Sequence, residues 1–388
     1  MPATHLTFSQ KTNLGSFYTP SALVARIYKM LSPWLEDCDV LLDSSCGYGA
    51  FFEQPFPQND IRKIGGDIDA EALSVAQDRF SDVSFFNINA LENVSRELYG
   101  ISPRERLVIV GNPPYNDITS RVKQHLKTSL PTPMDDDIRT RDFGISFLLS
   151  FEKLDADFVA VLHPLSYLIK ESNFKLLAPF MRRYSLCETL VVSSLEFSDT
   201  MKGSGFPIVL AVYKKSAAGT SYQEIVRRKF RTIEGRVFSV SDFDYVCRYI
   251  PKYPARFSRN HAGAPNRYRF FTMRDINALK RSRTFIAEDS ANTIIIPDGK
   301  LEYFCYVDIF KDFCATLPYF FGNFNVMFNR AEFEKIKSEF LVLSVAKHPD
   351  IFSKNFVQPT AARIAVAREH VRNYFSKLFS PTISHDDL

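Results

Sequence analysis

No run of eighteen apolar residues occurs anywhere in the 388-residue chain, so the sequence offers no helix able to span a bilayer. The six cysteines (Cys38, Cys46, Cys187, Cys247, Cys305 and Cys314) never form a Cys-x-x-Cys pair. Neither a zinc cage nor a disulfide framework is therefore spelled out, and a reduced, cytoplasmic setting is expected. The seven histidines show no ligand spacing, which leaves no metal to expect, and His163 before Pro164 reads as structural or pocket-lining. No Glu is followed two residues later by Lys, so a fused carboxylate-lysine nuclease has no support. Met1 to Gln10 lacks a basic start and a long apolar stretch, and no secretory signal is expected. Internal repeats and low-complexity tracts are missing too.

What is there reads as globular: 45% hydrophobic residues with 24% charged, in a length suited to two domains. The net charge of +4 hides a division. Residues 1–216 hold 22 Lys+Arg against 26 Asp+Glu, whereas residues 217–388 hold 26 against 18. An acidic half joined to a basic half suggests a catalytic body handling a small molecule and an appendage holding a polyanion. The small-residue stretch Ser216 to Thr220 reads as the linker, giving domains 1–216 and 217–388.

Within 1–216, Val40 to Leu42, Arg62 to Gly65, Val83 to Phe86, Leu107 to Val110, Phe158 to Leu162, Thr189 to Val192 and Ile208 to Tyr213 read as strands. Ala70 to Phe80, Phe143 to Leu154 and Leu165 to Arg183 carry helical spacing between them. This alternation implies an α/β, Rossmann-like domain whose mainly parallel sheet is covered on both faces, with the last two runs as an antiparallel hairpin. The second domain reads as mixed and α-rich, with helices at Arg330 to Val345 and Thr360 to Phe379. Asp135 to Asp137 reads as a solvated acidic loop.

Three constellations carry chemistry. Asp43 ends an apolar strand and leads into Cys46-Gly47-Tyr48-Gly49, where small residues allow a sharp turn and close approach to a ligand. No third glycine follows at dinucleotide spacing. Asp67, at the tip of the second strand, can accept from both hydroxyls of a ribose, and Asp69 reads as the cap of the next helix. The strongest signal is Asn112-Pro113-Pro114-Tyr115 after a buried strand. Two prolines stiffen the chain and leave the Pro113 carbonyl without a local amide donor. The Asn112 oxygen and that carbonyl form an acceptor pair beside the flat Tyr115 ring, as an exocyclic NH2 on a planar base requires. Accepting both N–H bonds draws the nitrogen toward tetrahedral geometry and frees its lone pair to attack a methyl group.

On these residues the chain, from about Asn13 to Lys215, resembles the amino-group DNA methyltransferases that use S-adenosylmethionine. The group it resembles has its target recognition region after the catalytic domain, typified by N6-adenine enzymes of restriction-modification systems. The resemblance implies cofactor contacts from Tyr18, Thr19 and Pro20, where Thr19 also suits an N-cap and Pro20 a first helical position. It implies further contacts from Asp43, Cys46, Gly47, Gly49, Asp67, Ile68 on the adenine ring, Asn89, Ala90 and Asn112. Asn89 stands where the family usually has Asp, and an Asn oxygen can accept the same hydrogen bond. A flipped base needs a second aromatic opposite Tyr115; Phe197 is the first candidate and Phe206 the second, each with core packing as its alternative.

Between Lys252 and Arg283 the chain carries nine cations and one acid, interleaved with aromatics. Lys252, Arg256, Arg259, Arg267, Arg269, Arg274, Lys280, Arg281 and Arg283 are the candidate contacts to double-stranded DNA. The expectation is a monomeric adenine-N6 enzyme of base-flipping type, with a cognate restriction endonuclease as a possible partner in the cell and no membrane. The alternatives are cytosine N4 transfer, RNA adenine or protein glutamine methylation, and a non-enzymatic nucleic-acid module on a degenerate cofactor fold.

Overall fold

The computed structural model describes residues 18–115, 133–197, 205–254 and 268–379. The chain forms two compact units, Met1–Ile233 and Glu234–Leu388.

The first unit is built on a seven-stranded sheet of β1 (Val40–Asp43), β2 (Arg62–Asp67), β3 (Val83–Asn87), β4 (Leu107–Gly111), β5 (Phe158–Pro164), β6 (Tyr184–Ser193) and β7 (Pro207–Lys215). The spatial order is β3-β2-β1-β4-β5-β7-β6. Every expected strand is present. β1 to β5 are parallel, and β7 alone runs antiparallel to both its neighbours, so the expected final hairpin forms. All four residues of β1 and all five of β4 are buried, as continuous apolar runs in the middle of a covered parallel sheet should be.

Helices α1 (Ser21–Leu31), α2 (Ala70–Arg79) and α3 (Phe143–Lys153) accompany the sheet. Asp69 caps α2, accepting from the Glu71 and Ala72 amides at 3.1 Å each. The single helix expected over Leu165 to Arg183 is instead three: α4 (Ser166–Ile169), α5 (Glu171–Leu176) and α6 (Ala178–Arg183). Lys170 is extended (φ −88°, ψ 116°) and interrupts the first, while Pro179 suits only the opening turn of the last.

Two readings change, one of them a domain boundary. Ser216 to Thr220 is stitched to the sheet rather than free: Thr220 Oγ1 donates to Tyr184 O at 2.9 Å, and Ser185 Oγ donates to Gly219 O at 3.0 Å. A further helix, α7 (Tyr222–Arg227), opens with a Ser221/Glu224 capping box, and Arg228 then holds the Leu186 and Cys187 carbonyls. The first unit accordingly continues to Ile233. Asp135 is likewise more than a solvated acid, because its carboxylate takes the Asn93 and Val94 amides (2.7 and 3.0 Å) and Lys153.

In the second unit α8 (Leu301–Phe313), α9 (Arg330–Lys347) and α10 (Ala361–Phe379) pack as a helical layer. Its core is aromatic. Tyr306 is surrounded by Phe328, Phe333, Phe340, Tyr374 and Phe375 at ring separations of 5.0–5.8 Å. Among the described residues no helix is long and apolar enough to cross a membrane.

Candidate active site

In a sheet ordered 3-2-1-4-5, the chain leaves β1 toward one side and returns as β4 on the other. A crevice therefore opens beyond the carboxyl ends of these two strands. The motif residues lie at those ends. Asp43 closes β1, Asp67 closes β2, Asn89 and Ala90 follow β3, and Asn112 to Tyr115 follow β4.

Asp43 is 2% exposed and takes one described hydrogen bond, from the Ser45 amide at 3.1 Å. Burial pushes its carboxyl up to about 8, the Ser45 amide acts against the rise, and the nearby Asp67 charge adds to it. Gly111 makes room for it, since a Cβ there would lie 2.9 Å from Asp43 Oδ1. The loop after β1 turns on Gly47, at φ +50°, whose missing Cβ would meet nothing within 4 Å. That open cradle is where a ligand can reach the backbone. Gly49 is also left-handed, and there a Cβ would strike the Phe80 ring. Cys46 is buried, with Sγ packed toward Gly65, so its side chain belongs to the core; only its backbone can serve a ligand.

Asp67 accepts the Gly47 amide at Oδ2 (2.7 Å) and the Asp69 amide at Oδ1 (2.9 Å). Burial raises its carboxyl, and these amides oppose the rise. Ile68 beside it is 64% exposed, an apolar side chain in need of a cover. Asn89 is more committed than the sequence suggests. Its Nδ2 donates to Pro133 O at 2.7 Å and its Oδ1 accepts the Leu91 amide at 3.1 Å, leaving one oxygen lone pair for a ligand. Ala90 is buried.

The segment before α1 departs from expectation. Pro20, not Thr19, is the N-cap, and among the described residues no side-chain cap hydrogen bond forms there. Thr19 is 3% exposed, and its Oγ1 instead accepts from Asn112 Nδ2 at 3.2 Å. Tyr18 donates to Glu53, which also receives Arg79, and burial with the Glu53 charge pushes the Tyr18 phenol up to about 12.

This Thr19 contact orients the Asn112 amide. With its nitrogen held, Asn112 Oδ1 faces away, is buried, and accepts from no described group. An unpartnered buried acceptor costs roughly 1–3 kcal/mol, a strain that a ligand N–H would relieve. Pro113 is buried, and Pro114 and Tyr115 are half-buried, the ring packing against the sheet's apolar core. Burial also raises the Tyr115 phenol.

Of the two rings expected opposite Tyr115, Phe197 is 1% exposed and part of the core, so the packing alternative describes it. Phe206 is half-buried against the same cluster and retains surface to offer. His163 is structural: 1% exposed, it pairs with Tyr213 Oη (2.8 Å), and burial lowers its pKa to about 4.

No protein-family model matches the sequence, and no curated protein does. Solved structures similar to part of the chain include a modification subunit assigned to a type I restriction enzyme of Vibrio vulnificus, at 16% identity and a TM-score of 0.39 over 58% of this chain and 49% of that one. TrmN from Thermus thermophilus is similar at 18% identity and a TM-score of 0.33, over 54% of this chain and 52% of its own. The N-methyltransferase NodS from Bradyrhizobium japonicum, in complex with S-adenosyl-L-homocysteine, is similar at 13% identity and a TM-score of 0.30, over 50% of this chain and 85% of its own. Similarities this low leave the functional assignment to the chain's own residues.

In the second unit the nine cations are unequally placed. Arg256, Arg259 and Arg267 lie outside the described residues. Arg269 is paired with Asp289 at 2.8 Å and Lys252 donates to Asn325 at 2.5 Å, so both are partly used internally. Lys280 is half-buried, whereas Arg274, Arg281 and Arg283 are exposed and in no ion pair among the described residues. The interleaved aromatics also divide. Phe270 is fully buried and Tyr268 stacks on Phe352 at 4.8 Å, while Tyr253 is 62% exposed.

Sequence reasoning missed Asp142, Gly144 and Tyr167, which gather behind Tyr115. An Asp directly before a helical run was the only signal, and it points to a cap.

Proposed function

We propose that this chain is an S-adenosylmethionine-dependent methyltransferase acting on the exocyclic amine of a nucleobase, with adenine N6 in duplex DNA as its substrate. One observation carries the reading: Asn112 Oδ1 is held buried with no partner among the described residues, its amide oriented by Thr19, next to a carbonyl that precedes a proline. The cofactor, when bound, supplies a methyl group on a positively charged sulfur. The Gly47 cradle, the Asp43 and Asp67 carboxyls and the exposed Ile68 side chain suit its amino acid, ribose and adenine parts.

Asn112 Oδ1 and the Pro113 carbonyl accept the two N–H bonds of the target amine, which localises the nitrogen lone pair toward the methyl group. Nitrogen and carbon bond as carbon and sulfur part, and the extra proton on nitrogen passes to water. Tyr115 offers the face on which the extracted base lies, recovering part of the few kcal/mol that unstacking costs. The acceptor pair suits any planar NH2; the exposed Arg274, Arg281 and Arg283 favour a nucleic acid over a protein amide.

The decisive experiment incubates the full chain with methyl-labelled cofactor and, separately, unmethylated genomic DNA, total RNA and protein extract, then maps modified bases by sequencing. Label on adenine N6 at a recurrent DNA sequence is expected; label confined to RNA or protein, or none, removes the reading.

Two quantitative outcomes follow from the same residues. Burial pushes the Asp43 carboxyl up to about 8, which favours its protonated form at neutral pH. Docking the cofactor's ammonium against it expels that proton. Affinity should then rise with pH by up to about tenfold per unit and level off above 8. Calorimetry in two buffers of different ionisation enthalpy measures the released proton, and identical heats in both would exclude the coupling. Replacing Arg274, Arg281 and Arg283 together by Ala should flatten the dependence of log K for DNA on log salt by up to ~2.7, at roughly 0.9 per lost phosphate contact. A slope equal to wild type would move the phosphate contacts elsewhere on the chain.

A further inference from the structure

Tyr115 stands against a fixed post. A Cβ on Gly144, at the start of α3, would lie 2.9 Å from Tyr115 Cβ and 2.5 Å from Tyr167 Oη, so both tyrosines crowd the one glycine. Tyr167 is 1% exposed and has little freedom to move. Its ring stacks on His163 at 5.4 Å and 14°, and His163 is itself tied to Tyr213. The Tyr167 hydroxyl donates to Asp142 Oδ1, and the same oxygen accepts the Gly144 amide at 3.0 Å. Asp142 is anchored in turn, because its carbonyl accepts from Thr140 Oγ1 at 2.7 Å. One carboxylate oxygen thus gathers the helix start and the buried phenol, the two groups that bound Tyr115 on this side.

We propose that Asp142 is a positioning residue: by holding the Tyr167 hydroxyl and the Gly144 amide together it sets where the Tyr115 ring stands to receive the target base. The inference rests on the proposed amine methylation, in which Tyr115 is the face for the base. Asp142 touches no reacting atom. Its effect reaches the chemistry through the placement of a ring, and small misplacements of a positioned group are costly to rate. Neither Asp142 nor Tyr167 belongs to the motif that marks the site in the sequence.

The test uses the full chain with S-adenosylmethionine and unmethylated genomic DNA, comparing Asp142→Ala, Asp142→Asn and Gly144→Ala with wild type. Asp142→Ala should lower kcat by ~30-fold with cofactor affinity unchanged, as expected for a misplaced base platform. Asp142→Asn should recover most of that loss, since an amide oxygen accepts the same two donors. Gly144→Ala should lower kcat with the carboxylate intact, because the new methyl presses on both the Tyr167 hydroxyl and Tyr115. Equal kcat in Asp142→Ala and wild type, or an Asn variant no better than Ala, would overturn the proposal. Hydrogen exchange at the Tyr115 amide gives a readout that needs no substrate. Faster exchange in Asp142→Ala supports the clamp even if every variant, wild type included, proves inert on DNA, in which case only the functional reading fails. Unchanged exchange would overturn the clamp.

Discussion

Asn112→Ala should lower methyl transfer by on the order of 10³-fold, the loss expected when a preorganised polar group at a reacting centre is removed, with cofactor affinity little changed. The size follows from what the side chain does in the free protein. Its nitrogen is already fixed on Thr19, so no reorganisation is needed when an amine arrives at Oδ1. Truncation removes the acceptor while leaving Asp43, Asp67 and the glycine loop in place. Thr19→Val supplies the companion measurement, since it leaves the acceptor but frees the amide to rotate, and its loss in kcat should be intermediate. Single-turnover transfer to DNA, read beside calorimetric cofactor binding, distinguishes these effects. A near wild-type rate in Asn112→Ala would remove the catalytic assignment; loss of cofactor binding together with rate would make the residue a cofactor ligand instead.

Asp308→Ala should destabilise the second unit by about 3–5 kcal/mol, because it strips one partner from a buried charged network. Asp308 is fully buried in α8. It accepts from Thr284 Oγ1 (2.6 Å), Ser344 Oγ (2.9 Å) and His348 Nε2 (3.0 Å), with Lys347 Nζ at 3.3 Å. Burial alone would raise its carboxyl, yet the His348 hydrogen bond and the Lys347 charge outweigh that and hold it below the usual carboxylate range. A carboxyl depressed on folding contributes stability that is present above its unfolded pKa, ~3.9, and is lost as pH falls through the lower folded value. Wild type should therefore lose stability on acidification below about pH 4 more steeply than Asp308→Ala. Calorimetric unfolding of the full chain, followed from pH 7 to 3, measures both effects. A destabilisation under ~1 kcal/mol would show that the network is worth no more than a surface ion pair.

The framework of the first unit was legible because its central strands are apolar runs bounded by turn or charged residues, and parallel strands buried on both faces leave that mark directly. Leu107 to Val110 and Phe158 to Leu162 are such runs, and both became central strands. Leu165 to Arg183 misled for a related reason. Its apolar spacing is helical throughout, but periodicity reports which side faces the core and is insensitive to a single extended residue such as Lys170. Ser216 to Thr220 has a linker's composition, yet its hydroxyls and carbonyls found partners on β6, which composition does not encode. The basic region shows the same limit. A cation count cannot tell Arg269, spent on Asp289, from Arg274, which faces water.

By itself, the sequence determined the alternation that makes an α/β sheet, the carboxylates at the ends of β1 and β2, and the rigid Asn112 to Tyr115 corner, because each depends on residues adjacent along the chain. Tertiary structure alone decided that Thr19 orients Asn112, that Phe197 sinks into the core while Phe206 keeps an open surface, and that Asp142, Gly144 and Tyr167 stand behind Tyr115. Those relations join residues far apart in the chain, 93 positions for Thr19 and Asn112. Their energies come from burial and hydrogen-bond satisfaction, which exist only once the sheet has brought the partners together.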